Sequence, residues 1–214
     1  MAELGLDLVE SWARQELDRK HAAREEALRV SRELVRACAM SIRAVHRGEM
    51  ERARELQTTA RALHARIADT VREDGDVYWA GYVQDAQKEL VEALSTYALV
   101  TGSSLPDPRP LGIAPAPFLA GLAEAVGELR RYLLDRLRQG ETEGAEAILE
   151  AMDDIYGLLV TLDYPDALTG GLRRATDAAR GILEKTRGDL TTALRQEALQ
   201  RALRYTASRL GPVV

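Results

Sequence analysis

Hydrophobic positions recur every three or four residues along nearly the whole chain, which is the period of amphipathic helices, and nowhere alternate as a half-buried strand requires. From about Leu6 to His46 this predicts one very long helix, or two in line with a break near Lys20 and His21. Its core stripe is Ala27, Ser31, Leu34, Cys38, Ile42 and Val45. Gly48 ends it, and Glu49 to Arg72 forms the next helix, buried through Leu56, Ala60, Leu63 and Ile67. The turn Glu73, Asp74, Gly75, Asp76 lacks the spacing of an EF-hand loop and reads as a helix start, where negative charge suits the dipole. A central helix follows from Tyr78 to Val100, with Ala86, Leu90, Ala93, Leu94 and Tyr97 inside. Thr101 to Pro117 holds five of the seven prolines and reads as a connector long enough to reach across a bundle. Three further segments complete the pattern: Pro117 to Arg138, Glu141 to Leu162, and Leu172 to Leu210, the last either unbroken or interrupted at Gly188. In the second of these, Ile148, Met152, Ile155 and Leu159 face inward and Asp153 and Asp154 face water.

The polar positions change this picture in the central helix. Tyr82, Asp85, Glu89, Glu92 and Thr96 form a second stripe, and Glu89 and Glu92, three residues apart, point the same way from neighbouring turns. Lys88 is the one local counter-charge and projects about 100° away around the helix. Acids left without a basic partner on an otherwise apolar helix either meet one from another helix or hold a cation. The helix after the connector carries a second pair, Glu124 and Glu128, one turn apart, with Gly121 and Gly127 close by. A glycine inside a helix costs roughly 1 kcal/mol against alanine, so each is expected to permit a close approach by another helix or a ligand. If the two acidic helices run antiparallel, Glu89 and Glu92 face Glu124 and Glu128 and form a four-carboxylate cluster. All-oxygen sites suit hard cations such as Mg2+, with Mn2+ as the alternative, whereas the bland reading is a surface or interface charge pair.

At 214 residues and 46% hydrophobic, the chain is long enough for one all-α domain, 1–214, and no composition break divides it. The lone cysteine, Cys38, excludes an internal disulfide and reads as a small apolar core filler. With no basic-then-apolar leader and no run approaching the roughly 18 apolar residues of a membrane span, the expected location is cytoplasmic and no membrane partner is expected. The net charge of −5 does not advertise a nucleic-acid partner, so distribution has to decide. Arg29, Arg32, Arg36, Arg43 and Arg47 form a ladder on one face of the first helix, and no acid occurs from Leu34 to Gly48. Such a ladder is either a solvated face, a set of salt bridges to a neighbouring subunit, or a track for phosphates. Tyr78, Trp79 and Tyr82 are either packing or base-stacking aromatics. A Glu-x-x-His pair, a Gly-rich phosphate loop and a nucleophile elbow are all missing.

These residues resemble a family. The line from Leu17 to Glu49 is similar to the first long helix of the translin family, notably at Leu17, Asp18, Ser31, Arg32, His46 and Arg47. The run QKELVEA, Gln87 to Ala93, is similar to the segment of translin-associated factor X that carries its first two catalytic glutamates, here Glu89 and Glu92. GLAEAVGEL, Gly121 to Leu129, is similar to the second acidic segment, with Glu124 standing where that family has an aspartate and Glu128 matching its glutamate. The resemblance implies an all-α, antiparallel bundle of about seven helices, assembled as a hollow barrel-like homo-octamer that encloses RNA. It implies a Mg2+-dependent endoribonuclease in which Glu89, Glu92, Glu124 and Glu128 hold the metal and the first-helix arginines hold the backbone. The alternatives are a translin-like RNA or single-stranded DNA scaffold without turnover and, from another class, an all-α nucleotide pyrophosphohydrolase.

Overall fold

The computed structural model describes residues 5–210. Among them there are nine helices and no strand, as the 3.6-residue pattern predicts. Six are long: α1 (Leu6–His46), α2 (Met50–Thr70), α4 (Gly81–Val100), α6 (Pro115–Arg138), α7 (Ala145–Val160) and α9 (Leu172–Leu210). The other three, α3 (Gly75–Tyr78), α5 (Pro108–Leu111) and α8 (Asp166–Thr169), are single turns at the joints. No helix among the described residues is long and apolar enough to cross a membrane.

The first helix is continuous through Lys20 and His21, and all six residues of its expected core stripe are buried. It stops at Gly48, where φ is +74°. There the Glu49 N–H reaches the Ala44 carbonyl at 2.9 Å and the Gly48 N–H reaches that of Val45 at 3.0 Å, the paired bonds of a Schellman stop. The last helix is likewise unbroken at Gly188.

One joint differs from the pattern. The central helix starts at Gly81 rather than Tyr78, because Ala80 is extended at φ −64° and ψ 139°. Two contacts hold this break. Arg19 grips the buried Asp74 through two 3.0 Å bonds, and the Gln84 amide donates to the freed Tyr78 carbonyl at 2.8 Å. The connector, as its length allows, runs from the end of α4 back along the bundle to the end where α4 starts. His64 of α2 bonds the Leu111 carbonyl at 2.8 Å, the Tyr78 hydroxyl donates to the Gly112 carbonyl at 3.3 Å, and Ile113 is buried.

That return sets the directions of the helices. α6 begins beside the start of α4, so Gly121 lies against Lys88, Val91 and Glu92, while Val100 shares a crevice with Tyr132 and Leu133. α4 and α6 are therefore parallel, not antiparallel. α1 runs the same way as α4, from Lys20 at Asp76 to Cys38 beside Glu89 and Glu92. α9 follows α6, from Gly127 against Ile182 to Thr142 on Glu197. α2 and α7 return in the opposite sense: Ser41 donates to the Ala53 carbonyl while Glu26 pairs with Arg66, and Ile148 and Ala145 lie by Leu133 and Arg136. One core joins the helices, with Leu34, Leu90, Leu122, Leu129, Leu133, Met152 and Leu183 essentially fully buried.

Candidate metal centre and nucleic-acid interface

Gly121 makes the site. A Cβ at that position would lie 2.5 Å from the Lys88 carbonyl oxygen and 2.7 Å from the Val91 Cβ, which only glycine avoids without moving α6 away from α4. Gly127 has no such role, since its nearest neighbour is Ile182 Cδ1 at 3.9 Å. With the helices this close and parallel, one turn of α4 and one turn of α6 share a face. Glu89, Glu92 and Glu124 each bring a carboxylate oxygen to a point where all three lie within 4.8 Å of one another.

The three are not equivalent. Burial, followed by the charges of Glu124, Glu89 and Glu128, pushes the Glu92 carboxyl up from its ordinary 4.5 to about 8, against a smaller opposing pull from Lys88. This is a set of acids with too little positive charge. Lys88 supplies some of it, its Nζ standing 2.8 Å from Glu124 Oε1 and 3.5 Å from Glu89 Oε1. Its side chain thus swings across from the position that its spacing alone assigns. Glu128 belongs to the same electrostatic neighbourhood but is held separately. His46, at the end of α1, donates from Nε2 to Glu128 Oε2 at 2.5 Å, and Arg131 stands 3.9 Å off. The hydrogen bond from His46 lowers the Glu128 carboxyl below its usual range despite burial. His46 is itself almost buried, with a side chain 5% exposed. The structure thus gathers three of the four predicted acids into one cluster and places the fourth one helical turn away on a histidine. No spacing motif could have found that histidine, because 82 residues separate it from its partner.

The buried stripe of α1 closes the back of the cluster. Cys38 lies there, its thiol pushed up to about 12 by burial and then by the charges of Glu89 and Glu92, an unreactive filler as expected. Thr96, the last member of the acidic stripe, is fully buried. Of the aromatics at the entry to the central helix, Tyr78 and Tyr82 pack on the core, whereas Trp79 is exposed and meets Tyr78 edge-on at 5.0 Å between centroids.

All five ladder arginines are exposed on the outer face of α1. Arg29 is bound within the chain, to Glu26 at 2.8 Å and Glu33 at 2.6 Å. Arg32, Arg36, Arg43 and Arg47 have no carboxylate within ion-pair distance among the described residues. His46 lies about 60° around α1 from Arg43, so the ladder borders the rim of the acidic cluster.

A parallel pair of acid-bearing helices, closed behind by a long arginine-faced helix, defines an all-helical bundle with a candidate cation centre. No family model matches the chain. It is 34% identical over 194 residues to an uncharacterized protein of Methanocaldococcus jannaschii, spanning 88% of this chain and 84% of that protein. It superposes on the archaeal protein AfC3PO with a TM-score of 0.81 and 38% identity, covering 87% of this chain; that protein has been solved alone and in complex with duplex RNA, where 96% of its own chain is covered. Apo-NeC3PO, at 19% identity and a TM-score of 0.77 over 90% of this chain, shares the fold. The chain belongs to the translin/C3PO family. This displaces the pyrophosphohydrolase reading.

Proposed function

We propose that this protein is a Mg2+-dependent endoribonuclease that acts as a homo-oligomer, the octamer being the expected form. The observation that carries the reading is the convergence of Glu89, Glu92 and Glu124 within 4.8 Å, in a chain 38% identical to a protein solved with duplex RNA. The donor set fits the ion: three carboxylates suit a hard, oxygen-seeking cation such as Mg2+ or Mn2+, and the raised Glu92 shows charge that Lys88 alone leaves uncompensated. When bound, the ion lowers the pKa of an attacking water and offsets charge on the phosphate.

The chain's own residues do the rest. Glu89 and Glu124 sit at the open side of the cluster and Glu92 at its buried side, so the site is entered from one direction. Glu128, fixed by His46, presents its carboxylate one turn further along α6, positioned to complete the ligand set or to accept a proton at its rim. Arg32, Arg36, Arg43 and Arg47 offer guanidinium groups to the phosphates of a strand that runs past this rim. Contacts of this kind hold RNA by its backbone and not by its bases.

The test is to incubate the purified protein with labelled RNA, in Mg2+ and in EDTA. Cleavage in Mg2+ alone supports the reading. Tight binding without turnover in either condition would instead make the protein a scaffold.

A further inference from the structure

α1 and α9 both outrun the bundle. The first ion pairs that tie α1 to another part of the chain are Arg19 to Asp74 and Lys20 to Asp76, and its first buried residue is Ala27. At the other end, among the described residues, the last buried one of α9 is Leu190 and its last tie is Glu197, which accepts from Thr142 at 2.7 Å. About 13 residues of each helix, 6–18 and 198–210, thus project as roughly 20 Å of free helix. Because α1, α4, α6 and α9 share one direction, the two overhangs leave from opposite ends of the subunit.

Neither overhang has the composition of a helix meant to stay in water. On α1, Leu6, Val9, Ala13 and Leu17 form a stripe at spacings of three, four and four, flanked by Leu8 and Trp12; its five large hydrophobics are 57% to 79% exposed. On α9, Leu199, Ala202, Leu203 and Thr206 form a matching stripe, with Leu199 and Leu203 each 60% exposed. Their charges are opposite. Asp7, Glu10, Glu16 and Asp18 against Arg14 leave the α1 overhang at −3, while Arg201, Arg204 and Arg209, with no acid, put the α9 overhang at +3.

We propose that the acidic, apolar overhang of α1 in one copy docks along the basic, apolar overhang of α9 in the next, head to tail. The occupant is a second copy of this chain: each subunit carries both complementary halves, at opposite ends. Such a contact joins two different surfaces, so it closes into a ring when the rotation between copies permits and otherwise extends as a filament. The inference rests on the homo-oligomeric part of the reading above and supplies the surface that builds the oligomer.

Charge exchange tests it on the full chain, without RNA or metal, so that its outcome is independent of whether the protein cleaves. One variant carries Arg201→Glu, Arg204→Glu and Arg209→Glu; the other carries Asp7→Arg, Glu10→Arg and Asp18→Arg. Each alone is expected to fall to smaller species by sedimentation, with a shift in association of at least about tenfold and an unchanged helical content by circular dichroism, because no core residue is touched. An equimolar mixture is expected to recover the wild-type mass, since every junction is again between opposite charges. In a Trp79→Phe background, Trp12 emission is expected to shift to longer wavelength in either variant and to return on mixing. A monomeric wild type, an unchanged mass in both variants, or dissociation that mixing does not reverse each overturns the proposal.

Discussion

The acidic cluster and the arginine face of α1 lie side by side, yet they treat charge in opposite ways. At the cluster, like charges are crowded and partly dehydrated, so that Glu92 is pushed up to about 8. On the arginine face, four guanidinium groups are exposed without a carboxylate partner among the described residues, where crowding costs little. A buried excess of charge is strained and selects a compact counter-ion held by several ligands at once. An exposed excess is unstrained and accepts any polyanion by releasing counterions. One surface is therefore suited to chemistry at a point and the other to holding a strand of any sequence.

The largest effect should come from breaking the cluster. Glu89→Gln, Glu92→Gln or Glu124→Gln is each expected to reduce the rate of RNA cleavage by more than about 100-fold, the upper end of what loss of an outer partner costs a metal site. RNA affinity should hold, and none of the three should lower the thermal midpoint. Products from the wild type should carry 3′-hydroxyl and 5′-phosphate ends, because attack by water needs no 2′-hydroxyl; cyclic phosphate ends, read by end-labelling, would point to internal attack by the RNA.

A smaller loss is expected where the cluster shades into its support. His46→Ala frees Glu128 and should weaken metal binding by roughly 10-fold, measurable by calorimetry with Mn2+, and His46→Gln, which can still donate, should recover part of it. If Glu128→Gln instead matches Glu89→Gln, the fourth acid is a full ligand and His46 merely parks it.

The arginine face sharpens the comparison from the other side. Arg36→Ala with Arg43→Ala should weaken binding of unrelated RNAs alike and lower the slope of log affinity against log salt by roughly 1.4 to 1.8. Arg29→Ala should do far less, because Arg29 is already held by Glu26 and Glu33. Equal effects from both variants would mean that in-chain pairing does not decide which arginines meet RNA.

The smallest effect is on stability. Glu92 is raised above its unfolded value, so the folded protein binds the extra proton between about pH 4.5 and 8, and its stability falls as pH rises through that window. Glu92→Gln should remove that loss, leaving the variant more stable than wild type above pH 8 by thermal melting. Mg2+ should raise the midpoint of the wild type there and not that of the variant.

The sequence made the acids legible and left their partners hidden, for a physical reason. Glu89 with Glu92, and Glu124 with Glu128, are one turn apart, and helical spacing alone puts each pair on one face. The close approach at Gly121 was only half legible, since the cost of an interior glycine pointed equally to Gly127, which has no close neighbour. The parallel course of α4 and α6 was not, because it depends on the connector folding back onto His64 and Tyr78. Nor was the hold of His46 on Glu128, or the reach of Lys88 to Glu124, since both are contacts between helices far apart in the chain. The arginine ladder was visible as a pattern, but only the structure separates Arg29, which is tied down, from the four that have no carboxylate partner among the described residues.

The most direct test of the account is a single-turnover cleavage assay on one labelled RNA, comparing the wild type in Mg2+, the wild type in EDTA, and Glu89→Gln with Glu92→Gln in Mg2+. Metal-dependent cutting between α4 and α6 predicts cut RNA in the first and intact but bound RNA in the other two. Undiminished cutting by the double variant would contradict it, because the chemistry would then lie elsewhere than between α4 and α6.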